Sequence, residues 1–268
     1  MKKQVIGYLG PEGTYSRLAA DKLYPNGEKV AYPSFFTLFN ALKSGETDCI
    51  ILPIENSLNG AVVQNLDLLQ ETEGLFANAV TSIKIDHRLI TKKGCDLNGV
   101  KRVYSHTQAL GQCAKYLAEN FPRATLYETA STAECVKNIL TNEDAGIVGA
   151  HFSADGYELS AQTISDEPNN YTQFLSVVRG KAEEGTKSQR IFFSFTCRHV
   201  AGALADILCL LKESGVNMTE IESRPIKKRT GEFRFFLEVE GDYSDGRIKA
   251  ALKKVENASL SFKLLGLY

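Results

Sequence analysis

The chain has no tryptophan and only two methionines among its 268 residues. It also has no apolar run long enough to span a bilayer, and its N-terminal apolar run is too short for the core of a signal peptide. Its six cysteines form no C-x-x-C pair, and its four histidines make no Cys/His cluster at zinc spacing. We therefore expect a cytoplasmic protein that enters no membrane, holds no metal and keeps its cysteines as free thiols.

An excess of charge of either sign is absent as well. Lysine and arginine number 31 against 32 aspartates and glutamates, which gives a net charge of −1 and an isoelectric point near 6.5. A protein of this charge is not expected to bind nucleic acid or a membrane surface. Because 43% of the residues are hydrophobic and 24% are charged, the sequence predicts a globular protein with one large domain or two smaller ones.

Short apolar runs alternate with amphipathic stretches over the first 180 residues. This alternation indicates βαβ units with parallel sheets, and therefore an α/β fold. It falls into two similar halves around a β-rich run, so we expect two α/β lobes with a cleft between them, as in periplasmic binding proteins. The β-rich run lies at residues 76–91, and the predicted helices lie at residues 13–24, 35–45, 62–72, 109–121 and 132–143.

A different pattern follows a stretch that lacks large apolar residues. This stretch, residues 181–189, predicts a linker. The chain after it predicts the order strand, helix, strand, strand, helix, strand, with a hairpin turn at IKKRTG (226–231). Such a βαββαβ order is typical of a ferredoxin-like domain. The sequence thus predicts an α/β domain at residues 1–180, the linker, and a ferredoxin-like domain at residues 190–268.

Hydroxyl and amide side chains cluster where four predicted strands give way to helices. Helix N-termini bind anions, and ligands of α/β proteins lie at the carboxyl ends of strands. Four such clusters converging on one cleft would suit a small, polyanionic organic acid. Plain helix capping by Thr14 and a polar turn at Asn56 are the competing interpretations. The candidate substrate-binding residues are Thr14, Ser16, Asn56, Ser57, Ser105, Gln108, Ser131 and Thr132.

Several longer motifs resemble those of one enzyme family. GPEGTYS, PIENSLNG, SHTQALGQC, STAE and NNYTQF occur in the order found in prephenate dehydratase. GALA followed by GVNMTEIESRP is similar to the ACT domain that this family carries at its C-terminus. The resemblance covers nearly the whole chain. It implies a cofactor-free lyase that converts prephenate to phenylpyruvate, carbon dioxide and water in phenylalanine biosynthesis, with phenylalanine as feedback inhibitor.

The motif around residue 172 departs from the family at one position. Family members carry Thr-Arg-Phe here, whereas this chain has Thr172, Gln173 and Phe174. The resemblance implies that the threonine is tied to catalysis, and we interpret it as a polarised donor to the leaving hydroxyl, or an orienting group for it. The candidate catalytic residues are Asn170, Thr172, Gln173 and Phe174.

Gln173 cannot form the charged, bidentate clamp that a guanidinium forms with a carboxylate. A cation elsewhere supplies the clamp, or catalysis is reduced, or the substrate differs. We favour a compensating cation, because the surrounding motifs are intact.

The resemblance implies that two motifs of the C-terminal domain bind phenylalanine, at an interface between the ACT domains of two subunits. Small residues in GALA would let a ligand approach the N–H groups of a helix start, which could hold an amino-acid carboxylate. Simple packing of helix on sheet is the competing interpretation for Gly202. We expect a homo-oligomer, either a dimer or a tetramer. The candidate phenylalanine-binding residues are Gly202, Ala203, Leu204, Asn217, Met218, Glu222, Ser223, Arg224 and Pro225.

The sequence leaves alternatives to the phenylalanine-inhibited prephenate dehydratase. One is an enzyme acting on a close relative of prephenate, such as an arogenate dehydratase, or one that decarboxylates prephenate without aromatisation. Another, from a different class, is a non-catalytic ligand-binding sensor in which the missing arginine reflects lost catalysis.

Overall fold

The computed structural model of the protein describes residues 3–183, 185–226 and 232–268. Its strands are β1 (Val5–Leu9), β2 (Glu28–Tyr32), β3 (Cys49–Asn56), β4 (Gly60–Ala61), β5 (Leu75–Lys84), β6 (His87–Lys92), β7 (Arg102–Ser105), β8 (Thr125–Glu128), β9 (Asp144–Gly149), β10 (Tyr157–Leu159), β11 (Tyr171–Arg179), β12 (Arg190–Thr196), β13 (Met218–Pro225), β14 (Phe233–Glu240) and β15 (Ser261–Leu267). Its α-helices are α1 (Tyr15–Leu23), α2 (Phe35–Ser44), α3 (Val63–Glu71), α4 (Thr107–Gln112), α5 (Ala114–Asn120), α6 (Ala203–Glu213) and α7 (Gly246–Ala258), with 3-10 helices at Leu97–Gly99 and Glu134–Asn138.

The chain divides into two compact units that do not follow its order. The first unit contains the residues up to Thr47, Glu55–Gly60 and Thr81–Phe174, and the second contains Asp48–Ile54, Ala61–Val80 and Leu175–Tyr268. The division falls inside β3, β5 and β11. The domain boundaries 1–180, 181–189 and 190–268 stay a prediction.

In the first unit, five strands form a mixed sheet in the order β10-β6-β9-β7-β8. β7 is parallel to β8 and β9, whereas β6 is antiparallel to β9 and β10. All six residues of β9 are buried, as expected of a strand covered on both faces. Its Ile147 packs in one core cluster with Leu110 of α4, and its Val148 packs in another with Cys135. β1 and β2 form a parallel pair in the same unit.

In the second unit, the strands follow the order β13-β14-β12-β15-β5-β11-β3. The predicted βαββαβ order is confirmed as β12, α6, β13, β14, α7 and β15. Phe193 and Phe195 of β12 are fully buried and pack against Ile207 of α6 and Val255 of α7. Both helices are amphipathic and turn their apolar stripe toward this core.

The predicted helices of the first half are confirmed as α1, α2 and α3, and the β-rich run is confirmed too, whereas two later helix predictions are wrong in detail. The β-rich run at 76–91 is two strands, β5 and β6, and the helix predicted at 109–121 is two helices, α4 and α5. The helix predicted at 132–143 is only a 3-10 helix, Glu134–Asn138. One carboxylate oxygen of Asp144 accepts hydrogen bonds from the N–H groups of Leu140 and Thr141. In a longer helix these two N–H groups would donate to backbone carbonyls instead.

One predicted turn and one short strand that was not predicted lie in other parts of the chain. The predicted hairpin turn at 226–231 falls almost wholly, at residues 227–231, outside the described residues. The short strand β10 was not predicted, because three residues are too few to show a period. No described helix combines the length and the apolar character needed to cross a bilayer.

Candidate active site and effector region

Two neutral amides and one hydroxyl form a buried hydrogen-bonded group where β3 ends and β11 begins. The Nδ2 amide of Asn56 donates to Oδ1 of Asn170 at 2.7 Å and to Oγ1 of Thr172 at 2.9 Å. The three residues are 9%, 1% and 8% exposed, respectively. We refer to Asn56, Asn170 and Thr172 as the amide–hydroxyl centre. It joins residues more than a hundred positions apart, so PIENS and NNYTQF contribute side chains to one hydrogen-bonded group.

The orientation of the Asn56 amide is fixed from its other side. Its Oδ1 accepts hydrogen bonds from the backbone N–H groups of Leu58 and Asn59, at 3.1 and 3.0 Å, and from the side chain of Asn59 at 3.0 Å. The Nδ2 group must therefore point toward Asn170 and Thr172. The predicted polar turn at Asn56 is thus present, and it orients the centre.

The proton of the Thr172 hydroxyl remains available for a hydrogen bond. A hydroxyl has one donor and two acceptor positions, and here Oγ1 acts as an acceptor from Asn56. No acceptor for the Thr172 proton is found among residues 3–183, 185–226 and 232–268. The Nδ2 group of Asn170 is also buried without a partner in the described part of the chain. Two hydrogen-bond donors of the centre are therefore without an acceptor in the described part of the chain.

Ser57 supports the strand beside the centre. Its hydroxyl accepts from the N–H of Tyr171 at 2.9 Å and donates to the carbonyl of Asn169 at 3.3 Å. The backbone N–H of Ser57 donates to the carbonyl of Tyr171 at 2.9 Å. The residue thus aligns the start of β11, and its predicted contact with substrate stays a prediction.

A second polar group lies next to the centre and was not found from the sequence. The N–H of Ile85 donates to the carbonyl of Asn170 at 2.8 Å, and the hydroxyl of Tyr15 donates to the carbonyl of Asp86 at 2.8 Å. The Tyr15 ring contacts His151 with a centroid distance of 4.8 Å and His87 with one of 6.1 Å. We call Tyr15, His87 and His151 the Tyr15 cluster. Scattered histidines carry no periodic signal, which explains why the cluster was missed.

Burial favours the neutral forms of the side chains in the Tyr15 cluster. Burial lowers the pKa of His87 and of His151, and it raises the pKa of Tyr15 well above its usual range. His87 Nε2 lies 2.9 Å from the side-chain oxygen of Gln112, which orients the imidazole ring. Among the described residues Nδ1 has no partner.

The start of α1 confirms the capping interpretation of Thr14. Thr14 Oγ1 accepts from the N–H of Arg17 at 3.4 Å and donates to the carbonyl of Leu9 at 3.1 Å. Gly13 precedes it with φ 83°, and a Cβ there would lie 2.7 Å from the ring of Phe152, so only glycine fits this turn. The predicted substrate contacts of Thr14, and of the buried Ser16, stay predictions.

The expectation of four helix starts is wrong at one of them, and a second one, α4, is short. α4 has six residues and is capped by His106, while the segment at Ser131 leads only into a 3-10 helix. Such short segments have little aligned dipole to offer an anion. Ser105 is fully buried and donates to the carbonyl of Ile147 at 2.7 Å, and Ser131 accepts from the N–H of Glu134 at 3.1 Å. Gln108 is exposed and Thr132 is partly exposed.

Gln173 and Thr172 lie on opposite faces of β11. Side chains alternate along a strand, and here Thr172 and Phe174 are buried while Tyr171 is exposed and Gln173 is half-buried. Phe174 is 2% exposed, so it belongs to the core. Gln173 has no side-chain hydrogen bond within the described ranges 3–183, 185–226 and 232–268. Thr172 and Gln173 therefore cannot reach the same ligand group from the same side.

The helix start predicted to bind phenylalanine opens onto a small pocket. α6 begins after Gly202, which has φ 85°, and no side chain caps this helix start, although the N–H of Ala203 donates to the carbonyl of Val200 at 3.3 Å. No described heavy atom lies within 4 Å of a Cβ built at Gly202, so the packing interpretation is wrong and backbone conformation explains the glycine. The adjoining cavity of about 130 Å³, called here the C-terminal pocket, is lined by Cys197, Arg198, His199, Val200, Leu204, Phe233 and Phe235.

The predicted phenylalanine-binding residues on β13 divide between its two faces. Glu222 and Arg224 lie on the half-buried face, and Ser223 and Pro225 lie on the exposed face. Near the other end of the strand, Asn217 donates to Glu240 at 3.0 Å, and Met218 packs against the core. Of the predicted residues, Leu204 lines the C-terminal pocket.

Comparison with known proteins identifies both parts of the chain. The family model for prephenate dehydratase matches residues 6–182, and the model for the ACT domain matches residues 191–257. A bifunctional chorismate mutase/prephenate dehydratase of Neisseria gonorrhoeae is 34% identical over 98% of this chain and 74% of its own length. Arogenate dehydratase 2 of Petunia hybrida is 32% identical over 98% of this chain and 71% of its own length.

Solved structures match the same span. Prephenate dehydratase from Arthrobacter aurescens, solved in complex with L-Phe, has a TM-score of 0.87 at 27% identity and covers 98% of this chain and 88% of its own. GqqA, described as a novel type of quorum quenching acylase, has a TM-score of 0.88 at 25% identity, and the match covers 99% of this chain and 97% of the GqqA chain. The predicted fold class is therefore confirmed, and the chain belongs to the prephenate dehydratase family and carries a C-terminal ACT domain.

Proposed function

We propose that the chain is a lyase that converts prephenate to phenylpyruvate. The observation that carries this proposal is the hydrogen bond from Asn56 Nδ2 to Thr172 Oγ1, 2.9 Å long, in a chain of this family. This bond occupies the Thr172 oxygen as an acceptor and so leaves the hydroxyl proton directed elsewhere. A buried, oriented donor is what the departing hydroxyl of prephenate requires.

The reaction has a simple balance. The C–O bond to the ring hydroxyl breaks as that oxygen takes a proton and leaves as water. The C–C bond to the ring carboxylate breaks at the same time, its electron pair completes the aromatic ring, and carbon dioxide leaves. One proton is consumed overall, and in this proposal Thr172 donates a hydrogen bond to the departing oxygen.

The surrounding residues of the centre stabilise this step without carrying charge. The hydrogen bond that Thr172 accepts makes its own O–H more polar, since linked hydrogen bonds strengthen one another. The free Nδ2 group of Asn170 offers a second donor to the substrate. Preorganised dipoles of this kind cost no reorganisation during the reaction.

For the effector, we propose that phenylalanine binds at the start of α6 and in the C-terminal pocket. Phe233 and Phe235 provide an apolar wall for the ring of the ligand. The uncapped N–H groups of α6 suit its carboxylate. The prephenate dehydratase from Arthrobacter aurescens was solved in complex with L-Phe, which supports this class of ligand. We further propose a homo-oligomer joined through the ACT domains, and a cytoplasmic location in which the free cysteines stay reduced.

Arogenate is the second candidate substrate. It has an ammonium group where prephenate has a ketone, and the neutral Gln173 would not repel that group as the family's arginine would. A relative named arogenate dehydratase is 32% identical to the chain.

The test is turnover of each substrate by the purified chain. Formation of phenylpyruvate from prephenate, with no metal added and a chelator present, is the expected result. Faster release of phenylalanine from arogenate would favour the second candidate. Carbon dioxide without an aromatic product would indicate a decarboxylase, and binding of both compounds without turnover would indicate a sensor.

A further inference from the structure

Helix α3 is tied to the strand that carries Asn56. The N–H of Val62, just before the helix, donates to the carbonyl of Ile54 at 2.7 Å. The side-chain amide of Asn65 is fully buried and donates to the carbonyl of Pro53 at 2.7 Å. The N-terminal end of α3 is therefore fixed to β3, two to three residues before Asn56 in the chain.

The C-terminal end of α3 is held by a lysine of the ACT domain. Lys263 on β15 donates to the carbonyls of Leu69, Gln70 and Thr72 at 3.2, 2.8 and 3.0 Å. A lysine ammonium has three donors, and all three are used here. A cation at this end also complements the helix dipole. Because the Lys263 side chain is only 17% exposed, solvent competes weakly for these bonds.

A third contact joins α3 to the motif predicted to bind phenylalanine. Arg224 of the ESRP motif forms an ion pair with Asp67 of α3 at 3.3 Å, and the two side chains are 27% and 24% exposed. The hydroxyl of Ser194 on β12 donates to the side chain of Gln70 as well. Three strands of the ACT domain thus contact one helix of nine residues.

We propose that α3 couples the ACT domain to the amide–hydroxyl centre, and that Lys263 and the Arg224–Asp67 pair carry this coupling. The proposal rests on the proposed function and specifies its regulation. A packed helix moves as a rigid body, so a displacement of β13 or β15 on effector binding is passed to the segment before α3. That segment contains Leu58 and Asn59, whose N–H groups orient the Asn56 amide. A small change there would turn the donor away from Thr172.

The experiment uses the full chain with Asp67→Asn and Lys263→Met, which remove the two contacts. Lys253→Met is the matched control, since Lys253 also belongs to the ACT domain but is 65% exposed and, within the described residues, forms an ion pair only with its helix neighbour Glu256. Phenylalanine binding is measured by calorimetry, and phenylpyruvate formation is measured at saturating phenylalanine. In each test variant we expect the dissociation constant of phenylalanine to change less than about threefold, while the coupling between phenylalanine and prephenate falls at least about fivefold.

The outcomes separate this proposal from the proposed function. Wild-type inhibition in both variants would overturn the proposal, as would a wild-type chain that binds no phenylalanine. If Lys263→Met fails to fold, the result with Asp67→Asn alone decides whether the proposal stands.

If the wild type makes no phenylpyruvate, the proposed function fails, but hydrogen exchange still tests the coupling through α3. Phenylalanine should then change the exchange rates of residues 57–72 in the wild type, and change them clearly less in Asp67→Asn. Equal effects in both would refute the coupling.

Discussion

The amide–hydroxyl centre and the C-terminal pocket, proposed to bind substrate and effector respectively, are built in different ways. The centre consists of neutral side chains that are at most 9% exposed and are held by several hydrogen bonds. The pocket is open, with Val200 65% exposed, and has Arg198 and His199 among its lining residues. A fixed array of dipoles suits a reaction whose charge changes during the step. An open pocket with charged residues at its rim suits reversible capture of an effector.

The largest expected effect comes from removing the one hydroxyl of the centre. Thr172→Ala should lower kcat by at least about a hundredfold, the usual scale for a lost positioned donor. Thr172→Ser keeps the hydroxyl and should retain most of the activity. Both are measured by phenylpyruvate formation at saturating prephenate, with thermal unfolding as the check on folding. Near-normal turnover in Thr172→Ala would remove this residue from the mechanism.

A change at the start of α6 tests the other side of the comparison. Gly202→Val places a β-branched residue at φ 85°, which costs on the order of 1–2 kcal/mol, so phenylalanine should bind about tenfold more weakly. Gly202→Asn is the control, because asparagine tolerates this conformation and should bind phenylalanine nearly as the wild type does. Calorimetry gives both constants. Equal weakening in the two variants would assign the effect to lost space and contradict the conformational account.

A cation introduced at position 173 tests whether the centre needs one. Gln173 lies on the strand face opposite Thr172, so Gln173→Arg should change kcat/KM for prephenate by less than about threefold. The same change should alter kcat/KM for arogenate just as little, because the geometry is the same for both compounds. Gln173→Met, neutral and of similar length, is the control. A tenfold gain with prephenate would mean that the family's clamp was missing here, and a tenfold loss would mean that another cation already occupies its place.

The smallest expected effect concerns the pH dependence of stability around the Tyr15 cluster. Burial lowers the pKa of His87, so the unfolded chain binds more protons than the folded one once the pH falls below about 6.5. Stability should be complete above this pH and decline as the pH falls through it. Denaturant unfolding at several pH values should show a shallower decline in His87→Gln, whereas His199→Gln, at an exposed site, should follow the wild type. Identical slopes in His87→Gln and wild type would contradict the assignment.

The regular elements were predictable where local pattern and final burial agree. Ile207 and Leu211 of α6 recur at helical spacing and are buried in the core, and β12 follows its apolar run. The segment at 132–143 has a similar apolar spacing, yet Asp144 takes the N–H groups that a helix would use. A side-chain acceptor in competition with the backbone is not visible in a hydrophobic period.

The sequence predicted which residues belong to the candidate site better than it predicted the role of each residue. The resemblance placed Asn56, Asn170 and Thr172 in the site, and the structure joins them by hydrogen bonds. It did not reveal that Asn56 is the donor that orients Thr172, because this depends on a contact between residues 116 positions apart. The Tyr15 cluster escaped for the same reason.

The most direct test of the central claim is a double-mutant cycle between Asn56 and Thr172. If Asn56 acts by orienting the Thr172 hydroxyl, Asn56→Ala should lower kcat at least about tenfold in the wild-type background. In the Thr172→Ala background it should lower kcat less than about twofold, because residues that act as a unit are not additive. Equal losses in the two backgrounds would contradict the account, since Asn56 would then act without Thr172.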